Sequence, residues 1–306
     1  MHKSSWAGSS LRAMVLIAAV LGLSGCGTSY VINAMVPTSG YTVTHNIAYA
    51  SGPRHKLDVY RPVNATGHSP VVIYIYGGRW RAGDKSTYKF AAEALTSHGY
   101  VVVIPNYRLF PEVHFPAYVQ DAAQAVAWTH AHVADFGGDP NEMYLLSHSA
   151  GAQIGALLAL DPAYLAAVGG SPNWFAGVVC MSGPYDFNPD QSWDLAENFG
   201  PRSHYPQAMA VNFVTGHNPP MLLMAGKDDQ EVPYTQSVEL YRRIKAAGGP
   251  VQLKLFNGLG HVELIATFAN TLHWIDGRPL STVEGFVDRR VAKREQQLKM
   301  AKDTTR

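Results

Sequence analysis

The stretch LLSHSAGAQIGALLALD, residues 145–161, decides how this chain is read. The strand-like EMYLLS, residues 142–147, runs straight into the helix-like AGAQIGALLALD, residues 150–161, with Ser149 at the corner. A serine held in such a turn needs small neighbours two positions away on each side, because strand and helix approach closely there. The usual pattern is Gly-x-Ser-x-Gly. Here Gly151 fills the second small position and Ser147 the first, adding only a hydroxymethyl group. Ser149 stands at the positive dipole end of the following helix, and the backbone N–H of Ala150 is expected to point into the same space.

Outward from the corner, strand-like and helix-like segments alternate. Upstream lie VVIYIY (71–76), the helix-like STYKFAAEALTSHGY (86–100), YVVVIP (100–105) and a long helix-like segment (115–138) closed by two glycines. Downstream lie AGVVCMSG (176–183), PMLLMAG (220–226), the helix-like YTQSVELYRRIKAAGG (234–249), VQLKLF (251–256) and a helix beginning near His261. Near-continuous apolar strands separated by helices specify an α/β domain with a mostly parallel central sheet and helices on both faces. YTVTHNIAY and KLDVYRP, separated by a turn, add two further strands at the start. We expect one catalytic domain over residues 41–288, a linker over 26–40 and a charged tail over 289–306. The aromatic-rich, polar insertion at residues 185–218 is too short for a second domain and is expected to form a small cap.

Composition narrows the function classes. With 47% hydrophobic and 15% charged residues in 306, a sizeable core is available and disorder is not expected. A formal net charge of +1, with no basic, aromatic-interleaved patch, gives no field for nucleic acid. Cys and His nowhere show zinc spacing, so neither metal nor cofactor is expected. Cys180 sits in an apolar run, where a small buried thiol is expected.

The first 25 residues have the order of a signal peptide. Lys3 and Arg12 precede the apolar run AMVLIAAVLGL, too short for the roughly 20 residues a transmembrane helix needs. That run enters LSGC, residues 23–26, which resembles a bacterial lipobox and makes Cys26 the expected lipid attachment site. Gly27 follows instead of the aspartate that favours inner-membrane retention. A lipid-anchored protein of the outer membrane, facing the periplasm, is therefore expected.

Serine is a weak nucleophile at neutral pH. It needs a base within hydrogen-bond reach, a group that orients the base, and donors for the oxyanion. LLMAGKDDQEVP, residues 222–233, is a strand followed by a loop with Asp228 and Asp229. NGLGHVEL, residues 257–264, is a loop after the last strand, with His261. The order Ser, Asp, His is that of α/β-hydrolases, and all three would fall at the carboxyl ends of parallel strands, where such sheets bind ligands.

Four longer segments carry a resemblance. YGGRWRAGDKS (76–86) resembles a His-Gly-Gly-x-Trp oxyanion loop, with Tyr76 in place of the histidine. NYRLFPEVHFPAYVQDAAQAVAW (106–128) resembles a Tyr-Arg-Leu-x-Pro-Glu segment and the helix after it; FGGDPNEMYLLSHSAGA (136–152) and SGPYDF (182–187) match the segments around the nucleophile. Together they resemble α/β-hydrolases of the bacterial esterase branch, which takes in hormone-sensitive-lipase-like, BD-FAE-like and kynurenine-formamidase-like enzymes. The resemblance implies Ser149 as nucleophile, His261 as base, and Asp229 as acid through the spacing Gly226, Asp229, Val232. It implies an oxyanion hole from the backbone N–H groups of Gly78, Arg79 and Ala150. It further implies hydrolysis of small-molecule carboxylic esters through an acyl-enzyme. An arylformamidase-type amide hydrolase and a non-catalytic, lipid-anchored binding protein are the alternatives.

Other polar residues have plainer expectations. Asp121 is expected to be structural and Asp186 a turn residue; His98, His130 and His132 pack on helices. His148 is expected beneath the nucleophile or lining its pocket, and Trp80 to steady the oxyanion loop.

Overall fold

The computed structural model describes residues 32–272 and 276–304. The signal segment and Cys26 lie outside the described residues.

Eight strands form one sheet: β1 (Tyr41–Ala48), β2 (Lys56–Pro62), β3 (Ser69–Ile75), β4 (Val101–Pro105), β5 (Gly138–His148), β6 (Phe175–Met181), β7 (Met221–Gly226) and β8 (Val251–Phe256). Their spatial order is β1-β2-β4-β3-β5-β6-β7-β8. β1 and β2 pair antiparallel, as do β2 and β4, and every pairing from β4 through β3 to β8 is parallel. The central strands are apolar on both faces because helices cover both, and every residue of β4 and β7 is buried.

The connecting helices are α1 (Lys89–Ser97), α2 (Ala117–His132), α3 (Ala150–Leu160), α4 (Pro162–Ala166), α5 (Trp193–Asn198), α6 (Tyr205–Ala208), α7 (Thr235–Ala246), α8 (His261–Ala266) and α9 (Arg278–Thr304). The chain leaves β3 in one direction, through α1 to β4, and returns through α2 to β5 on the other side of β3. Right-handed crossovers therefore put α1 on one face and α2 and α3 on the other. The carboxyl ends of β3 and β5, aligned at Ile75 and Ser147, flank the point where strand order reverses, the usual ligand crevice of such sheets.

Two expected boundaries differ from the structure. Residue 288 falls inside α9, whose Val283, Phe286 and Val287 are buried and whose Arg294 pairs with Glu142 at 2.8 Å. The segment expected to be a linker is docked from residue 32 onward: Ile32 and Val36 are buried in the core. The insertion folds into the short α5 and α6 and several single turns.

Candidate active site

β5 delivers Ser149 to the carboxyl edge of the sheet. The residue has φ 58° and ψ −126°, a conformation that a non-glycine residue adopts at a cost of about 1–3 kcal/mol. The surroundings hold it there: its N–H donates to the Met181 carbonyl at 2.9 Å, and its own carbonyl accepts from the N–H groups of Ala152 and Gln153. The small neighbours follow from local packing. A Cβ on Gly151 would lie 2.3 Å from the Ile75 carbonyl oxygen, so helix and strand touch through backbone there. Ser147 fits in the glycine-type position because its hydroxyl turns to the Val179 carbonyl at 3.1 Å and because Gly155, opposite on α3, has no side chain.

The loop after β7 brings Asp229 and the loop after β8 brings His261 to the same place. The Asp229 Oδ2 to His261 Nδ1 distance is 2.8 Å, and His261 Nε2 lies 2.8 Å from Ser149 Oγ. A carboxylate only accepts, so the Nδ1–H donates to Asp229 and Nε2 is free to accept the serine proton. Asp228 is exposed, so the structure joins Asp229 to the histidine and leaves its neighbour in solvent. Burial alone would raise the Asp229 carboxyl. The hydrogen bonds from His261 and the Val232 N–H, with the attraction of the imidazolium form, outweigh that and hold it below its ordinary value.

The loop after β3 closes the other side. Gly77, Gly78 and Arg79 line one cavity of about 220 Å³ together with Ser149, His148 and His261. A Cβ on Gly77 would lie 2.7 Å from that of Ser149, so this loop runs against the serine. Arg79 and Trp80 both have positive φ, 54° and 59°. Trp80 anchors the loop: its indole N–H donates to Gln153 Oε1 at 3.1 Å, and its ring packs on Phe187 and Phe199.

Tyr76 supports the same loop from below. Its hydroxyl donates to Asn106 Oδ1 at 2.7 Å and accepts from Arg54 at 3.0 Å. Its ring stacks between Tyr88 and Tyr107, and the Tyr107 hydroxyl donates to the Tyr76 carbonyl. The tyrosine is thus a bracing residue where the family pattern has histidine.

His148 is buried, its ring centroid 4.8 Å from that of His261, and its Nε2 lies 3.0 Å from the His261 carbonyl oxygen. Since a carbonyl only accepts, His148 carries its proton on Nε2. Burial, reinforced by the neighbouring imidazole, pushes its pKa down to about 3, so it is neutral and holds the backbone of the His261 loop. The remaining residues follow expectation. Asp121 is buried against Arg108, Asp186 bonds to Gln236 through its backbone, and Cys180 is a free, buried thiol pushed up to about 12 by burial. Among the described residues no cluster of His, Cys, Asp and Glu has the makings of a metal site.

Three residues beside the cavity carry no sequence signal. Glu231 is half-exposed, with an oxygen 3.9 Å from His261 Nε2, and its identity is incidental to the Gly-x-x-Asp-x-x-Val spacing. Ile32 and Asn33 come from a stretch without periodicity.

A sheet of this order, with a serine at a strained strand-to-helix corner and loops from β3, β7 and β8 converging on it, is an α/β-hydrolase. Residues 57–244, more than half of the chain, match the BD-FAE family model, and the chain belongs to that family. It is 29% identical over 248 residues to an isoprenylcysteine alpha-carbonyl methylesterase of Arabidopsis thaliana, covering 72% of this chain and 57% of that protein. It is 29% identical over 266 residues to esterase LipC of Mycobacterium tuberculosis, covering 76% of this chain and 66% of that one. The chain thus spans less than two thirds of the length of these relatives. Among solved structures, a tributyrin-phosphonate-inhibited esterase B from Lactobacillus rhamnosis superposes with a TM-score of 0.76 at 20% identity, over 97% of this chain and 99% of that one. A carbohydrate esterase from gut microbiota gives 0.71 at 22% identity, over 83% and 98%.

Proposed function

We propose that the chain is a serine hydrolase of carboxylic esters. The observation that carries this is the continuous Ser149–His261–Asp229 chain at 2.8 and 2.8 Å, opening on a cavity. The relatives, named as methylesterase and esterase, support the same chemistry.

In the proposed reaction Ser149 Oγ attacks the ester carbonyl while His261 Nε2 takes its proton. Asp229 orients the ring and stabilises its charged form. The backbone N–H groups of Gly78, Arg79 and Ala150 receive the tetrahedral oxyanion, each donor worth about 100- to 1,000-fold in rate. His261 returns the proton to the departing alcohol, and a water activated by the same nitrogen releases the acid and restores the serine.

The test is turnover of p-nitrophenyl acetate by Ser149→Ala, expected to fall by at least about 10⁴-fold with the fold retained. A fluorophosphonate probe should label the wild-type chain and spare the variant. Undiminished turnover in the variant overturns the assignment, and failure of folded wild-type protein to label favours a binding protein. N-formylkynurenine assayed alongside separates ester from formamide preference.

Attachment to a membrane belongs to the same proposal. The order of positive residues, apolar run and lipobox supports lipidation of Cys26 and display at the outer membrane. Replacing Cys26 with Ser should stop incorporation of labelled fatty acid.

A further inference from the structure

The apolar wall of the cavity beside Ser149 comes from three separate stretches. Thr87 and Tyr88 lie on the turn that leads into α1 and Phe90 in its first turn, Val262, Ile265 and Ala266 belong to α8, and Ile32 comes from the segment that precedes the sheet. Ile32 is 1% exposed and shares that cavity with Ser149 and His261. Its side chain therefore occupies room that a substrate would otherwise fill.

The next residue shows why Ile32 stays there. The first N–H groups of a helix lack intrahelical partners, and Tyr88, in the capping position of α1, makes no side-chain cap. Asn33 supplies one from 57 positions upstream: its Oδ1 accepts from the Phe90 N–H at 3.0 Å. Its Nδ2 donates to the carbonyls of Ser86 at 3.0 Å and Thr87 at 2.9 Å. A primary amide has the two donors and the acceptor this arrangement uses. Val36, also buried, pins the far end of the segment. The segment is thus fastened to the same turn that carries Tyr88 and Phe90 into the cavity.

We propose that Ile32 is a specificity-determining residue that limits the length of the hydrocarbon chain an ester substrate can place beside Ser149, and that Asn33 is the latch holding it in position. This rests on the hydrolase proposal above and adds to it a substrate class, esters of short aliphatic chains. One methylene too many or too few in an apolar pocket changes kcat/KM by about 10- to 200-fold, and Ile32→Ala removes three carbons.

The test measures kcat/KM over two series, p-nitrophenyl esters from acetate to decanoate and acetates of alcohols from ethanol to decanol. The first varies the acyl side, the second the alcohol side. In Ile32→Ala the ratio of the eight-carbon to the four-carbon substrate is expected to rise at least tenfold in one series, and in Ile32→Phe to fall by a similar factor. Asn33→Ala, which leaves the isoleucine present but unlatched, should move the ratio in the direction of Ile32→Ala. If Ile32→Ala does not fold by circular dichroism, Ile32→Val and Ile32→Phe decide the matter. Ratios within twofold of wild type in both series, in folded protein that still labels with a fluorophosphonate, overturn the role of Ile32 and leave the hydrolase proposal standing. A wild-type chain with neither ester turnover nor labelling overturns both.

Discussion

The corner around Ser149 and the cap at residues 187–217 both pack against the loop after β3, but different forces hold them. At the corner, positions are set by backbone: Ser149 is bonded through both its N–H and its carbonyl, and Gly151 lies against the main chain of β3. The cap is held inside by ring packing of Phe187 and Phe199 on Trp80, by buried Ala208, Ala210 and Val211, and by the bond from Gln153 Nε2 to the Ala208 carbonyl at 2.8 Å; at its rim Asp194 meets Arg81 at 3.0 Å and Arg79 at 3.7 Å, both arginine side chains about half exposed. Backbone contacts in a close-packed interior leave almost no room for adjustment. Exposed ion pairs are worth about 0–1 kcal/mol and change at little cost. Reaction geometry thus resides in the part set by backbone, and the contacts with room to adjust lie at the exposed rim of the cap.

Substitutions can break that contrast. The largest effect is expected at the buried acid: Asp229→Asn should lower kcat by about 10⁴-fold, because the amide favours the wrong imidazole tautomer. A steady-state assay that found less than a tenfold loss would remove Asp229 from the relay. Next, Gly151→Ala forces a Cβ to within 2.3 Å of the Ile75 carbonyl oxygen and should cost about 3 kcal/mol in urea denaturation.

The third concerns pH. His148 is neutral when folded, with its pKa pushed down to about 3, and protonates near 6.5 when unfolded. Between those values the unfolded chain binds the extra proton, so stability falls as pH falls, by up to about 1.4 kcal/mol per unit. His148→Gln should flatten that slope over the same window, read from denaturation midpoints; an unchanged slope would show that His148 is accessible to protons in the fold. The smallest effect is expected at the rim, where Arg81→Ala should alter stability by no more than about 1 kcal/mol. A larger loss would mean that this ion pair is coupled to the buried part of the cap rather than confined to its rim.

Much of this was legible in the sequence. Each of β3 to β7 carries an apolar run, β8 alternates apolar residues with exposed Gln252 and Lys254, and the resemblance, through its Gly-x-x-Asp-x-x-Val spacing from Gly226, pointed to Asp229 over Asp228. Direction of pairing was not legible for β2 against β4, because a strand buried on both faces has no alternation to mark its neighbours. The role of the segment at 32–36 escaped for a different reason: one isoleucine, one asparagine and one valine carry no period, and the partners of Asn33 at residues 86–90 are backbone groups. Tyr76 looked like a departure from a pattern, and only the positions of Arg54, Asn106 and Tyr107 show what it holds. Where His148 would pack was legible in outline, but its bond to the His261 carbonyl was not.

Ser147 and Gly155 carry a consequence for the order in which this corner can be altered. A methyl group on Gly155 would lie 2.5 Å from the Ser147 hydroxyl, while the next side chain, Leu145, is at an ordinary 3.5 Å. Alanine at 155 is therefore disfavoured while serine occupies 147, and becomes admissible once 147 is glycine. A lineage or a directed-evolution library must change the strand position first and the helix position second, and the two substitutions are expected to be strongly non-additive in a double-mutant cycle.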